Sequence, residues 1–135
     1  MKTLDEVRKF FEGDRFATEN GAVIDEIGDH SAICSLEIRD SHRNAIGAVM
    51  GGTYFMLADF AFAVAANHNK MNTVTLSSSI TFLGVPKGKM LIAEANCVKD
   101  GRSTCCYRVV VTDELDNGVA EVTMNGFHLK YRLHR

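Results

Sequence analysis

Residues 53–66, TYFMLADFAFAVAA, contain no glycine or proline and only one charged side chain, Asp59. A run that is apolar on every face at this length predicts a helix buried in the middle of a larger structure. It is too short to span a membrane, and it ends at the helix-unfriendly cluster Asn67, His68, Asn69. Whatever else the chain does, it must sheathe this helix.

Two features set the segment apart from ordinary core. Asp59 has Phe55, Met56, Phe62 and Ala63 as its i±3 and i±4 neighbours, surroundings in which an unpaired carboxylate loses solvation or shifts its pKa upward. At the start of the helix, Gly47 and Gly51-Gly52 carry no side chains to cover the first backbone N–H groups. A bare helix N-terminus receives an anion or a developing oxyanion. Asp59 lies eight residues beyond Gly51, roughly 12 Å along one axis, so one chain does not bring both groups to one carbonyl. Two copies packed antiparallel about a two-fold axis do, and they create two equivalent sites. This spacing therefore predicts an obligate homodimer with shared sites; pairing of dimers into a homotetramer is a further expectation that the spacing does not itself decide.

At 135 residues the chain has the size of one domain, residues 1–135, that can bury its core without disulfides or metals. A net charge of −2 with interspersed signs offers no basic stripe, which argues against nucleic acid as a partner. Cys34, Cys97, Cys105 and Cys106 show no CxxC or Cys/His metal spacing, and none of the five histidines falls at ligand spacing, so no metal is expected. The N-terminal MKTLDEVRKFFEGD carries acidic residues where a signal peptide needs an unbroken apolar run. A reduced, cytoplasmic setting is expected.

Around the central helix the pattern is mostly strand-like. Leu4, Val7, Phe10 and Phe11 fall at helical spacing between Thr3, an N-cap type, and Gly13, a stop. Residues 22–27 and 31–39 alternate about Gly28-Asp29-His30 and predict a hairpin. Residues 73–83 put Val74, Leu76, Ile80 and Phe82 on one face, and Thr73, Thr75, Ser77, Ser79 and Thr81 on the other. Further strands are predicted at residues 90–98, 104–113 and 119–131, joined by Asp100-Gly101 and Asn117-Gly118, strong short hairpin signals. An antiparallel sheet curled around one apolar helix satisfies this order, giving an α+β domain.

The pattern N-x-x-G-x-x-M-G-G at residues 44–52, the L-A-D at 57–59, the run LSSSITFL at 76–83 and the turns at Gly88 and Gly101-Arg102 together resemble the PaaI-like acyl-CoA thioesterases of the hotdog fold. The resemblance spans nearly the whole chain. It implies a curved antiparallel sheet wrapped around one long central helix, plus a short N-terminal helix, in a dimer with one continuous sheet. It also implies hydrolysis of acyl-CoA thioesters, with coenzyme A as part of the substrate and no separate cofactor.

Carried over position by position, Gly51 matches the residue whose N–H polarises the thioester carbonyl, and Asp59 the carboxylate that activates water or attacks directly. Asn44 matches a polar residue beside them, and Ser77, with Ser78 one step away, a hydroxyl that positions the water. Gly52, Tyr54, Phe55 and Phe82 fall where the substrate is walled. Lys87, Lys89 and Arg102 fall in exposed turns within reach of CoA phosphates. Met50 departs from the family pattern, which has His before the glycine pair. A thioether donates no hydrogen bond, so either His42 of the same loop substitutes by position for that His, or the alternative holds, a dimer that binds acyl-CoA without cleaving it. A hotdog dehydratase or hydratase would need a His at the start of the helix or within it, and none is present there.

Overall fold

The computed structural model describes residues 2–131. The apolar run forms α3, Gly51–Asn67, 17 residues long. Its start is fixed from outside the helix: the Met50 N–H and the Thr53 hydroxyl both donate to the His42 carbonyl, at 2.9 and 3.2 Å. Tyr54, Leu57, Ala58, Phe60, Ala61, Phe62, Val64 and Ala65 are buried, so most of its circumference is core. Burying a side chain such as Leu57 is worth about 2 kcal/mol, and this helix repeats that gain along its whole length.

The sheath is a six-stranded antiparallel sheet in the order β1-β2-β4-β5-β6-β3. Its strands are β1 Val23–Gly28, β2 Ser31–Glu37, β3 Thr73–Phe82, β4 Met90–Asp100, β5 Thr104–Asp113 and β6 Gly118–His128. Ala32, Cys34 and Leu36 of β2, Leu91, Ala93 and Ala95 of β4, Val109 and Val111 of β5, and Ala120, Val122 and Met124 of β6 are buried. Alanines on β2 and β4 let the helix lie close to the middle of the sheet, while larger side chains fill the flanks. This is the hotdog architecture, with the short helix α1, Leu4–Phe11, capped by a reciprocal Thr3–Glu6 box.

Three features were not legible in the alternation of residue types. A second short helix, α2, Arg15–Glu19, follows α1 and packs beside α3. The last strand ends at His128, earlier than the residue 131 that its pattern suggests. Most consequential, β3 is not a regular strand: its pairing with β6 slips between Thr75 and Ser77. A bulge of one residue reverses which side chains point inward. Thr73 and Thr75 pair with His128 and Gly126, whereas Ser78, Ile80 and Phe82 pair with Met124, Val122 and Ala120. Thr75 therefore faces α3 and Ser77 faces away.

The hairpin between β5 and β6 is locked by Asp113, whose carboxylate accepts hydrogen bonds from the N–H groups of Lys87, Gly88, Leu115 and Asn117. Burial pushes this carboxyl up, but the donors from Asn117, Lys87 and Gly88 outweigh it and hold the group far below the usual carboxylate range. Among the described residues, no helix is long and apolar enough to cross a membrane.

Candidate active site

One stripe of α3 is not covered by the sheet. Gly52, Phe55, Met56, Asp59 and Ala63 recur at helical spacing along it, and together with Asp14 and the α2 residues Arg15, Phe16 and Ala17 they line a cavity of about 460 Å³. Asp59 is the carboxylate in its wall contributed by the central helix. Burial raises its pKa, the charge of nearby Asp14 raises it further, and the neighbouring Thr75 hydroxyl pulls it part of the way back. A carboxylate held above its ordinary range is a better proton acceptor near neutral pH.

The other candidate element is the mouth of the helix. Met50 stands at the N-cap and gives no side-chain hydrogen bond, so the N–H groups of the first turn lack the usual cap. A Cβ on Gly51 would stand 2.7 Å from Cε1 of Phe82; only glycine lets that ring lie against the start of the helix. The Met50 side chain runs beside Gly52, 3.6 Å from where its Cβ would be. Met50 and Phe82 are both more than half exposed, at 55% and 58%, so they flank the mouth without closing it.

The structure separates the residues expected from sequence into distinct places. Phe55 shares the cavity with Asp59 and Gly52. Tyr54 does not: it is buried in the core at 3% exposure, with its ring 6.3 Å from that of Phe82. Asn44 shapes its own loop, its Oδ1 accepting from the Ile46 and Ala48 N–H groups at 3.1 Å each, a turn that brings Gly47 to φ +85°. Ser77 points to the outer face and accepts a hydrogen bond from Asn125 Nδ2 at 3.3 Å, while Ser78 shares the inner face with Met124. Arg102 lies in the β4–β5 turn and lines a different cavity, at the far end of α3. His42 is no stand-in for the family histidine. Its ring is buried, with Nδ1 accepting from Arg39 N–H and Nε2 2.7 Å from the Asn20 carbonyl.

Residue-type reasoning missed Thr75, Asp14 and Phe16. Thr75 was hidden by the bulge, which no alternation pattern reveals. Phe16 is 76% exposed, and an aromatic following Gly13-Asp14 was the available signal that a second element turns back toward the central helix.

A curved antiparallel sheet around a buried central helix defines the hotdog fold. Residues 46–120, more than half of the chain, match the thioesterase superfamily, and the chain belongs to that family. It is 27% identical over 120 residues to the acyl-coenzyme A thioesterase PaaI of Escherichia coli, covering 88% of this chain and 86% of that one. A structure of the E. coli PaaI protein superposes with a TM-score of 0.87 at 22% identity over 98% of this chain and 100% of the other. A relative from Archaeoglobus fulgidus that carries an esterase name is 31% identical over 70% of this chain; the match spans 62% of that relative's length. A thioesterase protein of Streptococcus pneumoniae, solved with coenzyme A, superposes with a TM-score of 0.82 at 25% identity, covering 91% of this chain and 99% of that one.

Proposed function

We propose that this protein hydrolyses acyl-CoA thioesters to the free acid and CoA as a homodimer whose two sites each use Asp59 of one subunit and the Gly51 N–H of the other. The observation that carries this reading is the placement of a partly desolvated carboxylate in an apolar cavity on the same helix as a bare N-terminus. The two lie too far apart, roughly 12 Å for eight residues, to act on one carbonyl within a chain. The kinship to PaaI and to a thioesterase solved with coenzyme A supports the choice of acyl-CoA as substrate.

The edge strand supplies the geometry for sharing. β3 is ten residues long, stands at the edge of the sheet and exposes Leu76 and Phe82, a surface that invites pairing with another strand. Near one end of β3, Phe82 rests on Gly51; near the other, Thr75 neighbours Asp59. Pairing β3 antiparallel with its own copy exchanges these ends. Each Gly51 mouth then comes alongside the partner's Thr75 and Asp59, and the two sheets become one.

In such a site the thioester carbonyl oxygen points at the Gly51 N–H, and Asp59 takes the proton of a water as its oxygen attacks the carbonyl carbon. The tetrahedral oxyanion is held by the helix N-terminus, a donor worth roughly 3 kcal/mol in comparable sites. Its collapse breaks the C–S bond, and the departing CoA thiolate takes up the proton that Asp59 removed from the water, which returns the carboxylate to its starting state. Direct attack by the Asp59 carboxylate, giving an anhydride that water then opens, uses the same two groups. Phe55, Met56 and Phe16 wall the acyl chain.

Met50 favours a second reading, in which the dimer binds acyl-CoA without cleaving it, because a thioether cannot orient a substrate by donating a hydrogen bond. Release of free thiol across short, branched, aromatic and long acyl-CoAs separates the two. Hydrolysis that Asp59→Ala abolishes in a folded dimer supports catalysis. A thermal shift without thiol release supports binding alone, and undiminished hydrolysis by Asp59→Ala overturns the assignment of Asp59.

A further inference from the structure

At the Asn67 end of α3 a second cavity, of about 830 Å³, opens between the β1–β2 turn and the ends of β4, β5 and β6. Its wall collects side chains that are scattered in sequence. Strand register sets Asp100 opposite Cys105, Cys105 opposite Gly126, and Thr73 opposite His128. An Asp100 carboxylate oxygen, Cys105 Sγ and a His128 ring nitrogen lie within 4.8 Å of one another. Gly126 leaves the thiol its room, since a Cβ there would stand 2.7 Å from Cys105 Sγ. Two imidazoles converge on the same carboxylate: His128 Nε2 is 2.7 Å from Oδ1 of Asp100, and His30 Nε2 is 3.3 Å from Oδ2.

The far side of each ring is also fixed. His30 Nδ1 is 2.8 Å from Oδ1 of Asp29, and His128 Nδ1 is 2.8 Å from the Thr73 hydroxyl. Thr73 is itself clamped by Asn67, which accepts from its N–H at 2.8 Å and donates to its carbonyl at 3.0 Å. Imidazoles tied through Nδ1 to an oxygen, with Nε2 turned to the two oxygens of one carboxylate, have the outer-shell support that metal-ligating histidines use. Two imidazoles and the carboxylates of Asp29 and Asp100 thus meet at one corner of the cavity.

We propose that Asp100, Cys105 and His128 form a binding site for a divalent transition-metal ion of the zinc class at the ends of β4, β5 and β6, with His30 of the β1–β2 turn beside the second oxygen of Asp100. An imidazole, a carboxylate and a thiolate supply three of the four ligands of tetrahedral zinc, and His30 stands nearest for the fourth. Ligand atoms in such a shell stand about 3.3–3.8 Å apart, which the present cluster reaches by small side-chain movements, the thiol giving up its proton on binding. The site is separate from Asp59, which lies eight residues of helix before Asn67, or roughly 12 Å.

Cobalt(II) titrated into the chelator-treated full chain tests the proposal directly. The expected result is one equivalent bound per chain, with a thiolate-to-cobalt charge-transfer band in the near ultraviolet and strong visible bands of tetrahedral cobalt, both erased by added zinc. Cys105→Ser removes the charge-transfer band, and Asp100→Asn or His128→Asn weakens binding at least 10-fold. Cys106→Ser, on the opposite face of β5, leaves the spectrum unchanged. The proposal is overturned if the folded wild-type protein gives no thiolate band and zinc does not raise its melting temperature. It is equally overturned if the band survives Cys105→Ser and disappears with Cys106→Ser.

Discussion

The two ends of α3 are built on opposite principles. At the Asn67 end, side chains bind the helix to its surroundings: Asn67 grips the Thr73 backbone in both directions, His68 Nε2 donates to the Gly28 carbonyl at 2.8 Å, and Asn72 Nδ2 donates to the Leu129 carbonyl at 2.9 Å. At the Gly51 end the chain supplies glycines, a methionine at the cap and a half-exposed ring. The Gly51 end is anchored through the His42 carbonyl, but no side chain caps the N–H groups of its first turn. The chemistry proposed above falls at the uncapped end.

Substitutions at the two ends should therefore fail in different ways. The largest effect is expected from Asp59→Asn, which removes the proton acceptor and should lower turnover by roughly 10²–10⁴-fold while the dimer stays folded by sedimentation and circular dichroism. Gly51→Pro deletes the donor at a helix position that tolerates proline and should cost roughly 10²–10³-fold, with the exposed Phe82 ring swinging aside. Mixing these two inactive variants after subunit exchange should restore part of the activity, because one site in each mixed dimer regains both groups. No recovery would mean that each site is built within one chain.

At the far end the loss should appear as stability, not turnover. Gly126→Ala places a Cβ 2.7 Å from Cys105 Sγ, 2.9 Å from Thr73 Cγ2 and 3.0 Å from Phe62 Cζ, and overpacking of this kind costs about 1–3 kcal/mol. Urea unfolding should show that loss, with the activity per folded molecule close to wild type.

The pH dependence sharpens the same contrast. The folded-state pKa of Asp59 is raised, first by burial and then by Asp14. Its contribution to stability is therefore fully present below the unfolded carboxylate value and is lost as pH rises through the folded one. Asp59→Asn should melt at increasingly higher temperature than wild type as pH is raised across that window, and nearly together with it below. Asp113 is shifted the other way, so its contribution is present above the unfolded carboxylate value and falls away as pH drops toward its depressed folded value. Wild-type turnover should fall on its acid side at a pH above the ordinary carboxylate range, and lower if Asp59 is ionised throughout.

The smallest effect separates the adjacent glycines. A Cβ on Gly52 meets only the flexible Met50 chain at 3.6 Å or beyond, so Gly52→Ala should be neutral or stabilising by up to about 1 kcal/mol. Gly51→Ala must displace Phe82 and should lower turnover without that gain. Equal behaviour of the two in activity and melting would remove the distinction drawn between them.

Much of the architecture was legible because it rests on short-range patterns. An apolar run with one carboxylate dictates a buried helix, alternation dictates strands, Asp-Gly and Asn-Gly dictate hairpins, and paired glycines dictate an uncovered helix start. These consequences of local sterics and of apolar burial hold wherever the segments end up. What only the tertiary structure decided is which distant groups meet. A single extra residue in β3 turned Thr75 toward the helix while Ser77 stayed outside, α2 brought Phe16 and Asp14 to Asp59, and three strand ends placed Asp100, Cys105 and His128 together although no spacing in the chain relates them. Side-chain periodicity fixes a face only while the register is regular, and contact across a sheet depends on pairing that no single segment encodes.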